Sequence, residues 1–385
     1  MKGAVILVGG FPEPVGGVTT FVRRLAASDD RVEEVVDLFF GREKRIPTSY
    51  LGRYRARDNK WRGFAYLFVK MMVWHDKYVH FNFSSLKSLM FFLFLPKNRN
   101  KWILMLHHGV LEGHFPGFLT ERLLRRFDYI ICMNELQYQS YRSRGVAKER
   151  IVRASSYVRS PQLMPDRHFR EEVDAYFSRK PTFVASGYPT AAYNFDWCVR
   201  FVRTRQEYQL AMFLYGDGAE KAKLRELEGK FQNVKIYWGE NEENFSYALS
   251  RAKCYLRPNS KDSFGIAVAD AVNYGVPVVA SDVCPRYQGA VTFGGTTYES
   301  FEIELTRVLR NEANVEWTAS EPIVPFSYDL IACWLFAGEP EFWKSYTSII
   351  ATESISGTCS DWPFTTRLES ARNRLVLFQR RSTPS

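Results

Sequence analysis

A chain of 385 residues with 46% apolar and 16% aromatic content is too long for one growing hydrophobic core and too apolar for general disorder, so two domains of about 150–200 residues each are expected. The net charge of +10 belongs to the N-terminal half: residues 1–160 hold 27 Lys/Arg against 14 Asp/Glu, and the remainder holds 25 against 28. No uncharged run approaches the roughly 20 residues of a membrane helix, and Cys132, Cys198, Cys254, Cys284, Cys333 and Cys359 lie far apart without a CxxC, as reduced core thiols do.

The opening MKGAVILVGG is too brief for a signal sequence and suits a buried first strand, so a cytoplasmic protein is expected. Strands are predicted at Ala4–Val8, Val32–Phe39, Tyr78–Phe83, Trp102–His107, Tyr129–Met133 and Ile151–Ala154, with helices at Val18–Ala27, Arg62–Trp74 and Leu86–Leu95. From Val158 to Pro181 the pattern breaks into Ser, Pro, Arg and Asp, as in a linker. Alternation then resumes. Strands are predicted at Phe183–Ser186, Leu210–Tyr215, Val234–Tyr237, Cys254–Arg257 and Val276–Ala280, and helices at Phe195–Thr204, Glu220–Lys230, Phe245–Ala252 and Gly265–Tyr274. Further helices are expected at Tyr328–Phe336, Glu341–Ile350 and Thr366–Phe378 before a frayed end.

Strands separated by helices specify parallel sheets covered on both faces. The fold class is therefore α/β, with two doubly wound Rossmann-like domains facing across a cleft, one at 1–165 and one at 166–338, and C-terminal helices at 339–385 that cross back to the first domain. Ligands of such sheets bind at the carboxyl ends of the strands.

Three stretches carry candidate chemistry. Gly16 and Gly17 follow the first strand and precede a helix, where missing Cβ atoms let backbone approach an anion, although a tight turn uses the same residues. LHHGV ends the strand Trp102–His107; adjacent histidines point to opposite sides, and His108, beside Gly109, is the one assigned to the cleft, with one packed and one solvated histidine as the alternative. The stretch KDSFGIAVADAVNYGVPVVASD places Asp262 before a helix and Asp270 inside it, with the backbone of Phe264–Ile266 at the helix start. Such a start attracts phosphate, so the acids are left to accept hydrogen bonds from hydroxyls, one of a sugar and one of a ribose. A plain N-cap and a surface helix residue remain the alternative.

The spelling RPNSKDSFGIAVADAVNYGVPVVASDV resembles the C-terminal signature of the retaining GT-B glycosyltransferases of family 4, and GGFPEPVGGVTTF, HHG, FDYIICMN and LYGDGAEKAKLREL follow the family in order over about residues 1–310. The resemblance implies that Asp262 contacts hydroxyls of the transferred sugar, Asp270 holds the nucleotide ribose, and His108 touches the donor sugar near the reacting carbon. It also implies that Ser263, Phe264, Gly265 and Ile266, with Gly16 and Gly17, cradle the diphosphate, while Gly216 and Gly218 shape the base side of the pocket.

Two departures stand out. Both acids are Asp where the family has Glu, and the Arg and Lys that hold the family's diphosphate are absent from SGYPTAAYNFDW, where Tyr188 and Asn194 lie near their places. Arg257, Lys261 and Arg286 are the expected substitutes. No Asp-x-Asp loop and no metal-ligand spacing is present in the sequence, so no metal and no cofactor is expected, the UDP- or GDP-linked sugar acting as co-substrate.

On the acceptor side, Arg42, Lys44, Arg45, Arg53, Arg55, Arg57 and Lys60 form a basic loop. It is either solvated or suited to an anionic, lipid-linked glycan acceptor at a membrane surface. The apolar run Leu89–Leu95 beside Lys97, Arg99 and Lys101 is either a core helix or an interfacial one, which would put the chain peripherally on the inner membrane face. The expected activity is metal-independent transfer of a sugar to a glycan or glycolipid hydroxyl with retention, in surface polysaccharide or glycoconjugate synthesis. A nucleotide-sugar epimerase and a silent nucleotide- or glycan-binding relative are the alternatives. Nucleic-acid binding is not expected, since no recognised motif accompanies the basic charge.

Overall fold

The computed structural model describes residues 3–12, 15–38, 54–56, 60–107, 117–160, 164–295, 297–310, 326–328 and 331. Met1–Ala332 forms one unit and Cys333–Ser385 a second, none of whose residues is among those described. The calls on His108, on most of the basic loop at 42–60 and on the helices beyond residue 331 lie outside the described residues.

The first sheet is wholly parallel. Its strands are β1 (Val5–Gly9), β2 (Val32–Asp37), β3 (Tyr54–Ala56), β4 (Tyr78–Phe83), β5 (Lys101–Leu106), β6 (Tyr129–Cys132) and β7 (Ile151–Arg153), in the order β3-β2-β1-β4-β5-β6-β7. Helices α1 (Gly17–Ser28), α2 (Lys60–Val73), α3 (Gly117–Leu124) and α4 (Glu135–Ser143) accompany it. Valine, leucine and phenylalanine runs such as VILVG are buried throughout, as expected of strands covered on both faces.

The second sheet repeats the plan. After α5 (Arg167–Phe177) come β8 (Thr182–Gly187), α6 (Phe195–Thr204), β9 (Gln209–Leu214), α7 (Lys221–Arg225), β10 (Val234–Trp238), α8 (Glu242–Ser250), β11 (Cys254–Arg257), α9 (Ile266–Asn273), β12 (Val278–Ser281), β13 (Val291–Phe293) and α10 (Tyr298–Leu309). The strand order is β10-β9-β8-β11-β12-β13, all parallel. Neighbouring residues of one strand serve opposite cores: Phe183 and Ala185 pack toward α6 and α10, Val184 toward α5 and α8.

Several local differences from expectation have physical causes. The stretch Val158–Pro181, expected as a linker, contains α5, whose N-cap Asp166 accepts from the backbone N–H of His168 and Phe169 and whose Phe169, Val173 and Tyr176 are buried at helical spacing. The helix expected over Glu220–Lys230 ends at Arg225. There the chain relaxes into i+3 turns that stop at Gly229, in the left-handed region at φ 74°. Leu86–Phe94 is a 3-10 helix instead of an α-helix, because Leu86, Leu89, Phe92 and Leu95 are all buried at a spacing of three, the repeat of that tighter coil.

Beyond α10 the chain returns to the first sheet. The backbone N–H of Phe326 donates to the Tyr157 carbonyl at 2.9 Å, and the fully buried Tyr328 hydroxyl lies 2.7 Å from His80 Nδ1. Among the described residues Cys132, Cys198, Cys254 and Cys284 are free thiols, and no helix is long and apolar enough to cross a membrane.

Candidate active site

The order of each sheet reverses beside its first strand, at β1/β4 and at β8/β11, and the loops leaving β1, β8 and β11 carry Gly16 and Gly17, Tyr188 and Asn194, and Lys261 to Gly265. Strand β11 ends in Arg257, the chain turns through Pro258–Phe264, and Gly265 caps α9.

Asp262 is the hub of this turn. Its Oδ2 accepts from Arg257 Nε at 2.6 Å and from Arg286 Nη1 at 2.6 Å, while Oδ1 accepts from Arg257 Nη2 and from the Ser263 backbone N–H, each at 3.0 Å. Burial alone would raise its pKa, but the two guanidinium groups outweigh that and hold the carboxyl well below the usual range. Arg286 is fixed in turn by the Ser281 carbonyl at 2.7 Å and the Ser281 hydroxyl at 3.1 Å. Two buried cations share one carboxylate, so this cluster carries a net charge of +1 at the start of α9, where the helix dipole adds further positive potential. Gly265 lies in the left-handed region at φ 81°, and a Cβ there would stand 3.0 Å from Arg257 Nε and 3.1 Å from Arg286 Nη1. That explains why glycine occupies the position.

Asp270 is not the open carboxylate that the sequence suggested. It lies within α9, 2% exposed, and receives a bidentate pair from Arg24 of α1 at 2.9 and 2.6 Å. Arg24, also 2% exposed, donates as well to Glu242 at 2.5 Å and to the Val158 carbonyl at 2.9 Å. Arg23 pairs with Glu243 and lies 3.4 Å from Glu242. Burial raises the pKa of Asp270 against the pull of Arg24. Burial likewise opposes the charge on Arg24, but Asp270 and Glu242 outweigh it and keep the guanidinium protonated.

The glycine loops meet at a tyrosine. The Tyr188 hydroxyl, just past β8, donates to the Val15 carbonyl at 2.6 Å. A Cβ on Gly16 would come within 3.1 Å of that hydroxyl, and one on Gly216, at φ 62°, within 3.0 Å of the ring. At Gly218 a Cβ would strike the Pro189 carbonyl oxygen at 2.2 Å, whereas Gly17 faces open space. Tyr188 thus brings the Gly16 loop and the Gly216 turn together where the resemblance led one to look for an arginine. Asn194 turns inward instead, donating to the Pro258 carbonyl at 2.7 Å and bracing the loop that carries Asp262.

The other expected residues divide. Lys261 is exposed and Ser263 half-buried; Phe264 is buried with Tyr157 and Ala269, and Ile266 opens α9. His107, the described member of the histidine pair, is buried against Phe21 with Nε2 3.2 Å from Asn82 Oδ1, and burial pushes its pKa down to about 3. Arg24 and Glu242 were not legible in the sequence, and Tyr188 was legible only as standing near the place of a missing cation. The buried charges left only a weak signal, an arginine on the inner side of an apolar helix. Among the described residues no cluster of three or more His, Cys, Asp or Glu is placed to hold a metal ion.

Residues 175–314 match the glycosyl transferases group 1 family. Among curated proteins, the GtfA subunit of the UDP-N-acetylglucosamine–peptide N-acetylglucosaminyltransferase of Streptococcus pneumoniae is 22% identical over 172 residues, 40% of this chain and 34% of the relative; its counterpart from Streptococcus parasanguinis is 26% identical over 92 residues, 23% and 18% of the two chains. The matches thus span about a third or less of these relatives' length. Among solved structures, HepE of Anabaena in complex with UDP-glucose superposes with a TM-score of 0.62 at 13% identity over 90% of this chain and 99% of that one. Sucrose-phosphate synthase of Thermosynechococcus elongatus gives 0.58 at 14% identity over 91% and 100%. The chain has the GT-B fold, and its second sheet lies within the residues that match the glycosyl transferases group 1 model.

Proposed function

We propose that this chain is a nucleotide-sugar-dependent glycosyltransferase that moves a sugar to a hydroxyl of a glycan or lipid-linked glycan with retention of anomeric configuration and without a metal ion. The observation that carries the reading is the Arg257–Asp262–Arg286 cluster, a buried excess of positive charge at the head of α9 on the carboxyl edge of the second sheet. A departing nucleoside diphosphate needs preorganised donors in a low-dielectric cleft, and each is worth on the order of 3 kcal/mol of barrier. Arg257 and Arg286 supply them where the family's Arg and Lys are missing, with Lys261 at the solvent edge. Asp262 acts mainly by positioning both guanidinium groups, since five donors, the Asn259 amide at 3.4 Å among them, already fill its acceptor sites.

In the proposed reaction the acceptor hydroxyl attacks the anomeric carbon from the side the phosphate leaves, and the departing phosphate oxygen takes the hydroxyl proton. The similarity to GtfA subunits and to a HepE structure holding UDP-glucose favours UDP as the nucleotide. The setting would be the cytoplasm, in synthesis of surface polysaccharide or glycoconjugate. A thermal-shift panel of UDP, GDP, ADP and their sugars tests the donor: a ligand at a hundredfold its Kd raises stability by about 2.7 kcal/mol. No shift with any nucleotide would refute the reading. NMR of the product's anomeric proton tests retention.

A second reading, a nucleotide-binding relative without turnover, is favoured by the engagement of both Asp262 and Asp270 with arginines. Calorimetry showing nucleotide binding with no product across acceptors would select it. Incubation with donor alone distinguishes an epimerase.

A further inference from the structure

Helix α2 is apolar on both sides. Its inner face buries Leu67 and Met71 completely and most of Trp74, while the opposite face exposes Trp61 (65%), Val69, Met72 and Val73. A helix apolar all round belongs in an interior, yet half of this one faces solvent. The neighbouring 3-10 helix behaves the same way. Leu86, Leu89, Phe92 and Leu95 form its buried row, and Phe91 and Phe94 (78% exposed) form the row three residues apart that faces out.

The two surfaces are continuous. Trp61 meets Phe91 edge-on at 5.6 Å, and Phe64 stacks beside Phe92. Helix α3 packs along the same 3-10 helix and presents Phe118 to solvent, while Arg126 ties the assembly by donating to the Leu93 carbonyl at 2.7 Å. The 3-10 helix is therefore held firmly and its outer phenylalanines are not stray loop residues. An exposed apolar patch of this extent marks a binding surface.

The sequence through the patch is predominantly basic. Residues 60–101 contain eight Lys/Arg and a single acid, Asp76. Some are paired: Arg99 with Asp76, Lys77 with Glu33, Lys70 with Glu34, and Lys97 and Lys101 with Asp128. Lys87 is exposed on the 3-10 helix itself, and Arg122 is exposed on α3. A second copy of the chain would bring this basic rim against itself, which like-charge repulsion opposes. An anionic surface would meet it favourably, and a Trp and Phe stripe flanked by Lys and Arg is the pattern of helices that lie in a membrane interface.

We infer that the outer face of α2 and the 3-10 helix Leu86–Phe94 form a docking surface for an anionic lipid bilayer, with Trp61 and Phe94 entering the headgroup region. The inference stands on this surface alone and holds whether or not the chain transfers sugar. It also relocates the membrane contact: the run Leu89–Leu95 is half core, and α2 supplies much of the exposed area.

The test is sedimentation of the full chain with vesicles of phosphatidylcholine alone and of phosphatidylcholine with phosphatidylglycerol. Cosedimentation with the anionic vesicles, weakened by salt, is expected. Trp61→Ser with Phe94→Ser removes only exposed side chains, so its melting temperature should match wild type while its partitioning falls about tenfold or more, as does that of Lys87→Glu, because apolar burial and charge attraction add. Equal recovery in the supernatant with both vesicles overturns the proposal. So does binding unchanged by the double substitution, or a concentration-dependent dimer that the same substitution dissolves.

Discussion

Replacing Arg24 by alanine is the sharpest test of how the two halves of this molecule are held. Arg24 Nη1 and Nη2 reach Asp270 at 2.9 and 2.6 Å and Nε reaches Glu242 at 2.5 Å, with Arg24 and Asp270 both sealed from water. Removing the cation leaves two buried carboxylates facing each other. Glu242 keeps Arg23 at 3.4 Å and the Ser160 hydroxyl at 3.3 Å, so the heavier loss falls on Asp270. Breaking such a pair from one side costs about 3–5 kcal/mol.

The loss should depend on pH in a defined direction. Burial already raises the pKa of Asp270 with Arg24 present, and without it the folded-state value rises further. A raised carboxylate pKa makes the folded state hold its proton longer than the unfolded one, so that group's contribution falls as pH rises. The Arg24→Ala deficit should therefore be smaller at pH 5 than at pH 7, by up to about 2.7 kcal/mol at 1.36 kcal/mol per pH unit. Urea denaturation at both pH values reads this directly. Arg24→Met combined with Asp270→Asn should recover more than half of the loss, because the uncompensated charge has gone. A deficit below about 1 kcal/mol, or one independent of pH and of the second substitution, would show that the ion cluster does not bear on stability.

Three other outcomes follow. Gly265→Ala forces a left-handed φ of 81° on a residue with a Cβ and crowds Arg257 and Arg286, so it should cost about 1–3 kcal/mol and lower nucleotide affinity; an unchanged melt and titration would refute the cradle geometry. His80 and His107 are buried with pKa values pushed down, His107 to about 3, so both stay neutral in the fold after the unfolded chain protonates near pH 6.5. Their stabilisation is present above that pH and should fall by about 1.4 kcal/mol per pH unit for each as pH drops below it; a flat profile in denaturant between pH 6.5 and 4.5 would contradict this. Alanine at Arg257, Lys261 and Arg286 together should lower donor affinity and turnover by at least a hundredfold, since each donor is worth on the order of 3 kcal/mol; unchanged kinetics would remove these residues from the site.

Much of this fold was legible because its strands are short apolar runs set between helical ones, and Tyr78–Phe83, Cys254–Arg257 and Phe195–Thr204 fall where periodicity put them. The helix RHFREEVDAYF was not, since its charged outer face outweighs three buried aromatic and aliphatic residues to the eye, and the helix at Leu86–Leu95 could not be told apart as α or 3-10 because both repeats bury one side. In the candidate site, the glycine positions and the Asp262 turn could be read from local spelling. The partners of the two acids could not. Arg286 lies 24 residues from Asp262 and meets it because β11 and β12 pair side by side, and Arg24 lies 246 from Asp270, a separation bridged only when α1 and α9 pack together in the fold.

The proposed function makes the head of α9, with Arg257 and Arg286, the anion cradle of a sugar-nucleotide site. A crystal structure of the chain grown with a UDP- or GDP-linked sugar tests it most directly. The diphosphate is expected within hydrogen-bonding distance of the Ser263–Ile266 backbone and of at least one of the two guanidinium groups. A nucleotide bound elsewhere, or none bound at saturating concentration, would contradict it.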